Sequence, residues 1–435
     1  PPMLYYVKGS RMNAVTLDVK PLKAPVDAVA RINVRGLAPQ SRIKLSLAGP
    51  DQKGKEFASW ADFRADGDGT VDVGRQAPLA GAYSGVDPMG LFWSMEPVAG
   101  KAAAFEAREL DPLVFTLSAQ IAGKTVAGVR VERFFWDKEW GILREAVEGE
   151  GLQGTLFYPG KGVHPGLLLL GGSDGGRHEA NAALLAGHGF AVLDLPYFKL
   201  PGLPPELIEV PLEICRDGIE KLASHPAVAP GGVGVAGTSK GGELALLAAA
   251  NFPEKVRAIA AVVPSCVVWQ ALSERGRPPD KSSWTLGGRG LPYVHMKLKL
   301  GLFLPALFGR AVSLLPIYHE GLANAGEFAR ARIPVEKIPG PILLISGRDD
   351  RLWPSPGMCD RMVAELRERK FPYPCEHVSY PGAGHGFRPP YLPSNKETAR
   401  GPILFGGRPA DNARACREYW AQLIRFFSSS VGQAR

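Results

Sequence analysis

The chain has 435 residues, 45% hydrophobic and 22% charged, which is the composition of a folded globular protein with length for two domains. Its 51 basic and 43 acidic residues give a net charge of +8 with no basic run of the kind used by nucleic-acid tails, so the excess fits an anionic small-molecule substrate or solubility alone. Five scattered cysteines, Cys215, Cys266, Cys359, Cys375 and Cys416, argue against a disulfide framework; without a secretory leader or an apolar run of about 18 residues, a reducing, cytoplasmic setting with no stable membrane insertion is expected.

Between residues 14 and 135 the apolar signal has period two. Val15, Leu17 and Val19 alternate with polar neighbours, as do Ile32 with Val34, Ile43 with Leu45 and Leu47, Val71 with Val73, and Leu113 with Phe115, Leu117 and Ala119. Turns at Ala48-Gly49-Pro50-Asp51 and Asp66-Gly67-Asp68-Gly69 separate these runs. An N-terminal antiparallel β-sandwich, Ig-like in kind, is therefore expected over residues 1–145.

From about residue 153 the pattern changes. Short apolar runs without alternation at 166–170, 190–195, 233–236, 256–263, 342–346 and 377–380 are interleaved with helical stretches at 211–223, 358–370 and 411–427. Strands covered on both faces imply a mostly parallel sheet flanked by helices, an α/β-hydrolase domain over 146–435. Residues 267–335 break the alternation. This long insertion, with its stretch 294–308, reads either as a lid supplying an acyl pocket or as a peripheral helix packed on the core, and a membrane-surface role is a third reading.

The run Gly237-Thr238-Ser239-Lys240-Gly241 follows a small-residue strand and precedes the apolar stretch 244–250, the strand-turn-helix setting that a nucleophile elbow requires. A tight turn leaves no room for side chains at 237 and 241, and it lifts Ser239 to the start of a helix, where free N–H groups favour negative charge. A serine nucleophile needs a histidine base steadied by a carboxylate, in the chain order Ser, Asp/Glu, His. Asp350, just past the strand 342–346, is the expected carboxylate, with Asp349 as its competitor. His385, in the glycine-flanked Gly384-His385-Gly386, is the expected base, whereas His377 lies inside a strand and His178 and His188 precede the elbow. The oxyanion hole is expected from the N–H of Lys240 and from the Gly172 and Ser173 region of the loop 171–176. That loop lacks the lysine and Ser/Thr of a phosphate-binding loop, and no histidine or cysteine spacing fits a metal.

These residues resemble the two-domain acyl-CoA thioesterases that also include bile acid-CoA:amino acid N-acyltransferase. The likeness runs through Arg35-Gly36-Leu37-Ala38-Pro39 and Gly85-Val86-Asp87-Pro88-Met89-Gly90-Leu91-Phe92-Trp93 in the first domain. In the second it runs through the elbow, Gly347-Arg348-Asp349-Asp350 with Trp353, Gly384-His385, Pro389-Pro390-Tyr391 and Gly406-Gly407-Arg408-Pro409. The resemblance implies Ser239 as nucleophile, Asp350 as carboxylate and His385 as base. Serine rather than cysteine at 239 implies thioester hydrolysis, the alternatives being a carboxylester hydrolase akin to dienelactone hydrolases, or acyl transfer from CoA to an amino acid. CoA is then part of the substrate and no cofactor is implied; Arg177, Lys297 and Lys299 are candidate contacts for its phosphates. Segment 267–335 departs from the family's vertebrate members, so acyl-chain preference does not transfer, and Gln433-Ala434-Arg435 is not a peroxisomal address.

Overall fold

Alternation becomes strand pairing in the first 135 residues. A computed structural model of the chain describes residues 14–99, 104–149, 151–273, 278–298, 300–394 and 399–431. They divide into two units: one takes the chain as far as Phe135 with a short segment beginning at Pro389, and the other takes the remainder. The first unit holds β1 (Thr16–Lys20), β2 (Lys23–Pro25), β3 (Arg31–Arg35), β4 (Arg42–Pro50), β5 (Glu56–Arg64), β6 (Val71–Asp72), β7 (Ala80–Gly81), the short helix α1 (Gly90–Trp93), β8 (Glu96–Pro97), β9 (Leu113–Ile121) and β10 (Lys124–Phe134). One sheet runs β1-β3-β6 and another β2-β10-β9-β4-β5-β7, with β8 beside β5. Ile43, Leu45 and Leu47 of β4 and Leu113, Phe115, Leu117 and Ala119 of β9 are buried while their neighbours are not, so one face of this sheet is core.

Two strands escape the period-two reading. In β5 the buried series is Phe57, Ser59, Ala61 and Phe63, whose small and polar members hide the alternation, and most of β10 before Val131 is at least partly exposed. The expected turn at 66–69 forms, with Asp66 Oδ1 accepting from the N–H groups of Asp68 at 3.0 Å and Thr70 at 2.8 Å. The expected turn at 48–51 lies about three residues early: β4 continues through Pro50, and the chain reverses where the Asp51 N–H donates to the Lys55 carbonyl at 2.8 Å. Proline is tolerated because β4 pairs with β9 only as far as Ala48.

The second unit contains β11 (Ile142–Gly149), β12 (Leu152–Pro159), β13 (Gly166–Leu170), α2 (Glu179–Gly187), β14 (Ala191–Asp194), β15 (Val210–Pro211), α3 (Glu213–Ala223), β16 (Val233–Thr238), α4 (Lys240–Asn251) and β17 (Val256–Val262). Further along are β18 (Trp284–Leu286), β19 (Arg289–Gly290), α5 (Leu304–Leu307), α6 (Leu315–Leu322), α7 (Ala325–Ala331), β20 (Ile342–Gly347), α8 (Ser355–Glu368), β21 (Cys375–Tyr380), β22 (Ala399–Arg400), β23 (Ile403–Leu404) and α9 (Pro409–Ser430). Among the described residues the main sheet has eight strands in the order β11-β12-β14-β13-β16-β17-β20-β21. β12 is antiparallel to both its neighbours and the remaining pairs are parallel. Every residue of β13, β14 and β20 is buried, which accounts for the unbroken apolar runs. Because β11 pairs along its length with β12, the chain has entered this unit before residue 146.

Strand order switches direction between β13 and β16, and ligands of open α/β sheets bind at the carboxyl ends beside such a switch. The loop 171–176, Ser239, Asp350 and His385 follow β13, β16, β20 and β21 respectively, all on that edge. The insertion is not one lid. Its first limb is core, with Trp269, Trp284 and Val294 no more than 1% exposed, whereas Leu304, Leu307 and Phe308 are 57%, 80% and 82% exposed. Among the described residues no helix is long and apolar enough to cross a membrane.

Candidate active site

The turn after β16 holds Ser239 at φ 57° and ψ −119°, a backbone region that a residue with a β-carbon seldom adopts. The turn is as crowded as its glycines imply. A β-carbon at Gly237 falls on the Gly241 carbonyl, and one at Gly241 falls on the carbonyls of Leu170 and Gly171. The Ser239 N–H donates to the Val262 carbonyl at 2.8 Å, and its carbonyl accepts from the Glu243 N–H at 3.0 Å, locking the turn to β17 and to the first turn of α4.

Ser239 Oγ is 3.0 Å from His385 Nε2, and His385 Nδ1 is 2.8 Å from Asp350 Oδ2. The three residues are 8%, 5% and 4% exposed. Asp350 is held from every side: Oδ2 accepts from Ser355 Oγ at 2.6 Å, and Oδ1 accepts from the N–H groups of Leu352 at 3.0 Å and Trp353 at 3.3 Å. Asp349 points elsewhere, its Oδ1 paired with Arg351 at 2.7 Å and its Oδ2 accepting from the Gly407 N–H at 3.0 Å. The imidazole of His385 stands between the rings of Trp353 and Phe405, edge to face at 5.6 and 5.4 Å. The His385 N–H donates to the Phe405 carbonyl at 2.9 Å, and the Gly384 N–H donates to Asn412 Oδ1 at 2.9 Å. Gly384 lets this loop pack closely: a β-carbon there falls on the Gly406 carbonyl.

Gly172 lies beside the elbow, a β-carbon there being 3.7 Å from that of Ser239. Ser173 is exposed on the same loop. The Lys240 N–H begins α4, and its side chain is buried, with Nζ 2.7 Å from Glu243 Oε1. Burial pushes the Lys240 ammonium down and the Glu243 carboxyl up, each towards its neutral form, and the ion pair opposes both shifts. Arg177 stays exposed while its Nη1 lies 3.0 Å from Thr155 Oγ1 and 3.5 Å from Glu179 Oε1. Lys297 is exposed, and Lys299 lies outside the described residues. His377 is bound within its strand region to Ser346 Oγ at 2.8 Å and Asp360 Oδ1 at 2.9 Å, and His178 sits under the glycine loop, where a β-carbon at Gly171 meets its ring.

Sequence reasoning did not find Phe405, Ser355 or Glu243. Phe405 is 20 positions beyond His385, too far for a local pattern to join them. Glu243 did carry a signal, as a lone carboxylate at the head of the apolar stretch 244–250, and it is fully buried. A serine hydroxyl, an imidazole and a buried carboxylate in series, beside a helix start and a glycine loop, form an arrangement suited to nucleophilic attack on an acyl carbon.

The sequence matches the family description "Acyl-CoA thioester hydrolase/BAAT N-terminal region" over residues 27–147 and "BAAT / Acyl-CoA thioester hydrolase C terminal" over residues 210–433. It is 33% identical over 430 residues to "Acyl-coenzyme A thioesterase 6" of Mus musculus, covering 95% of this chain and 96% of that one. Identity is 32% over 434 residues to "Acyl-coenzyme A thioesterase 1" of Homo sapiens, covering 96% and 97%. It is 30% over 432 residues to "Peroxisomal succinyl-coenzyme A thioesterase" of Mus musculus, again covering 96% and 97%. The chain belongs to the acyl-CoA thioester hydrolase/BAAT family.

Proposed function

We propose that this chain hydrolyses acyl-CoA thioesters to a free acid and CoA through an acyl-enzyme on Ser239. The observation that carries the reading is the Ser239 hydroxyl, raised on a strained elbow and 3.0 Å from an imidazole that Asp350 holds at 2.8 Å. His385 Nε2 takes the proton as Oγ attacks the thioester carbon; Asp350 keeps the other imidazole proton on Nδ1 and stabilises the imidazolium. The N–H groups of Lys240 and of the Gly172 and Ser173 region receive the oxyanion. Collapse of the tetrahedral intermediate breaks the C–S bond and releases the CoA thiol, which takes up the proton from His385. Water, deprotonated in turn by His385, then attacks the ester carbon, and Oγ departs with that proton to release the acid. An oxygen ester on serine keeps less transfer potential towards amines than a cysteine thioester, which supports water as the acceptor.

The exposed Lys297 and Arg177, 41% of whose side chain is exposed, are the described cations proposed to meet the CoA phosphates. One-sided burial of β4, β5 and β9 supports an Ig-like sandwich for the first unit, which an experimental structure of that unit would test. Five scattered cysteines without paired spacing support a reducing, cytoplasmic compartment, to be checked by counting reactive thiols in the protein as isolated and by fractionating its cells of origin.

The test is thiol release from a panel of acyl-CoAs, run beside p-nitrophenyl esters with Ser239→Ala as control. Thioester turnover that vanishes in the variant is expected. Ester turnover without thiol release moves the protein to the carboxylesterases, and undiminished activity in Ser239→Ala removes the mechanism. An amide product on adding glycine or taurine would instead make it an acyltransferase.

A further inference from the structure

Both donors proposed for the oxyanion hole are backbone N–H groups on different elements, one opening α4 and one in the loop after β13. Their usefulness depends on the distance between them, because stabilisation of an oxyanion comes from donors fixed in advance at the place where charge develops. Each is held by a buried polar side chain, and Trp284 joins those two side chains. The Tyr197 hydroxyl donates to the Gly171 carbonyl at 2.7 Å and lies 3.2 Å from the Gly172 carbonyl, so it grips the loop from behind. The Tyr197 ring packs on Trp284 at 5.7 Å between centroids. Trp284 Nε1 donates to Glu243 Oε1 at 2.7 Å, the same oxygen that receives Lys240 Nζ at 2.7 Å. Lys240 Nζ also lies over the Trp284 ring, 5.2 Å from its centroid.

We infer that Tyr197, Trp284 and Glu243 are positioning residues that hold the two halves of the oxyanion hole at a fixed separation. The tie rests on the proposed role of Ser239. Every link is buried: Trp284 and Glu243 are 0% exposed and Tyr197 is 2% exposed. Burial also raises the Tyr197 phenol well above its ordinary range, so it remains a donor across the working pH. The first limb of the insertion thereby gains a task at the chemical step. It supplies Trp284, and its Trp269 N–H, 3.3 Å from Glu243 Oε1, adds a second strut to the same carboxylate.

The experiment uses the full chain and the variants Tyr197→Phe, Trp284→Phe and Glu243→Gln. Two readouts are taken: kcat and KM for thiol release, and the rate at which a fluorophosphonate labels Ser239. In that labelling Oγ attacks phosphorus, fluoride leaves, His385 takes the hydroxyl proton, and a phosphonyl oxygen sits where the oxyanion would. Tyr197→Phe is expected to lower kcat and the labelling rate each by roughly tenfold with KM within about twofold, short of the ~10²–10³ that removing a donor itself costs. The double variant Tyr197→Phe/Trp284→Phe is expected to lose less than the product of the single losses, since both cut one tie. Labelling of each folded variant at the wild-type rate, with lowered Tm alone, overturns the tie and leaves a structural cluster. A wild-type Ser239 that the phosphonate does not label refutes the nucleophile, and the tie with it. Should Trp284→Phe fail to fold, Tyr197→Phe, which removes one oxygen atom, carries the test.

Discussion

Replacing Asp350 by asparagine separates its role in orienting His385 from its role in shaping the loop. In the wild-type site Oδ1 receives the N–H groups of Leu352 and Trp353, and Oδ2 faces His385 Nδ1 at 2.8 Å and Ser355 Oγ at 2.6 Å. The asparagine oxygen is needed at the first position, because two backbone donors point there, so the amide nitrogen occupies the second. That nitrogen donates to Nδ1, which forces the imidazole proton onto Nε2, facing Ser239 Oγ at 3.0 Å. The base then has no lone pair with which to take the hydroxyl proton. A wrong tautomer of this kind costs a factor of about 10⁴ in kcat, or roughly 5 kcal/mol of transition-state stabilisation. Thiol release at saturating acyl-CoA, with Ser239→Ala as the floor, measures it; Tm is recorded alongside to show that the variant is folded. Activity within about tenfold of wild type would refute the assignment of Asp350 as orienting group. Asp349→Asn is the internal control, since that side chain answers to Arg351 and Gly407, and its activity is expected to stay near wild type.

Other outcomes follow from strain, charge and burial. Ser239→Gly relieves a backbone held at φ 57° and is expected to raise stability by about 1–3 kcal/mol relative to Ser239→Ala while abolishing turnover; equal melting temperatures would sink the strain argument. Asp194, buried with its Oδ2 accepting from the His178 N–H at 2.8 Å, has its carboxyl pushed up to about 7, chiefly by desolvation. The folded state thus binds the proton more tightly than the unfolded chain, whose aspartate titrates near 3.9, so this group costs stability progressively as pH rises from about 4 to 7. Asp194→Asn keeps the acceptor and removes the charge, so its Tm advantage over wild type is expected to be larger at pH 8 than at pH 5, and a pH-independent difference counts against it. Trp284→Ala empties a fully buried position and is expected to cost about 3–5 kcal/mol in urea unfolding, whereas Phe308→Ala, at a position 82% exposed, changes stability by less than about 0.5 kcal/mol; comparable losses would contradict the division of the insertion.

Legibility from sequence followed the range of the interactions. The parallel strands could be read because burial on both faces writes an unbroken apolar run, and Ser239 because the elbow confines its constraints to five consecutive residues. Asp350 and His385 each sit just past a strand, and the shared direction of β16, β20 and β21 brings them to one edge. What could not be read was set by contacts distant in sequence. β5 hid its alternation behind Ser59 and Ala61, and Phe405 reaches His385 from a separate segment. Lys240 was read only as a backbone donor, although the lone carboxylate of Glu243 at the head of an apolar stretch was the signal that a buried cation lay nearby.

The placement of the insertion is itself a physical argument about the site. It leaves the sheet at the carboxyl end of β17, beside the strand that bears Ser239, so only a few residues separate the sheet from the first turn of α4 and little loop-closure entropy is spent in reaching it. The departure is strained: Val263, β-branched, has φ 42°. Its N–H donates to the Ile345 carbonyl at 2.7 Å, and its carbonyl accepts Trp353 Nε1 at 3.1 Å. Trp353 is the ring that flanks His385, so the residue at which the insertion departs braces the histidine. Six residues later the Trp269 N–H reaches Glu243, and the Trp269 indole N–H donates to Ser265 Oγ at 2.8 Å, closing the path back to the sheet. Strain persists in folded proteins where surrounding contacts over-determine it. Here those contacts lead towards the His385 ring on one side and the Lys240 helix start on the other, which gives a segment resembling a lid in sequence the construction of a brace.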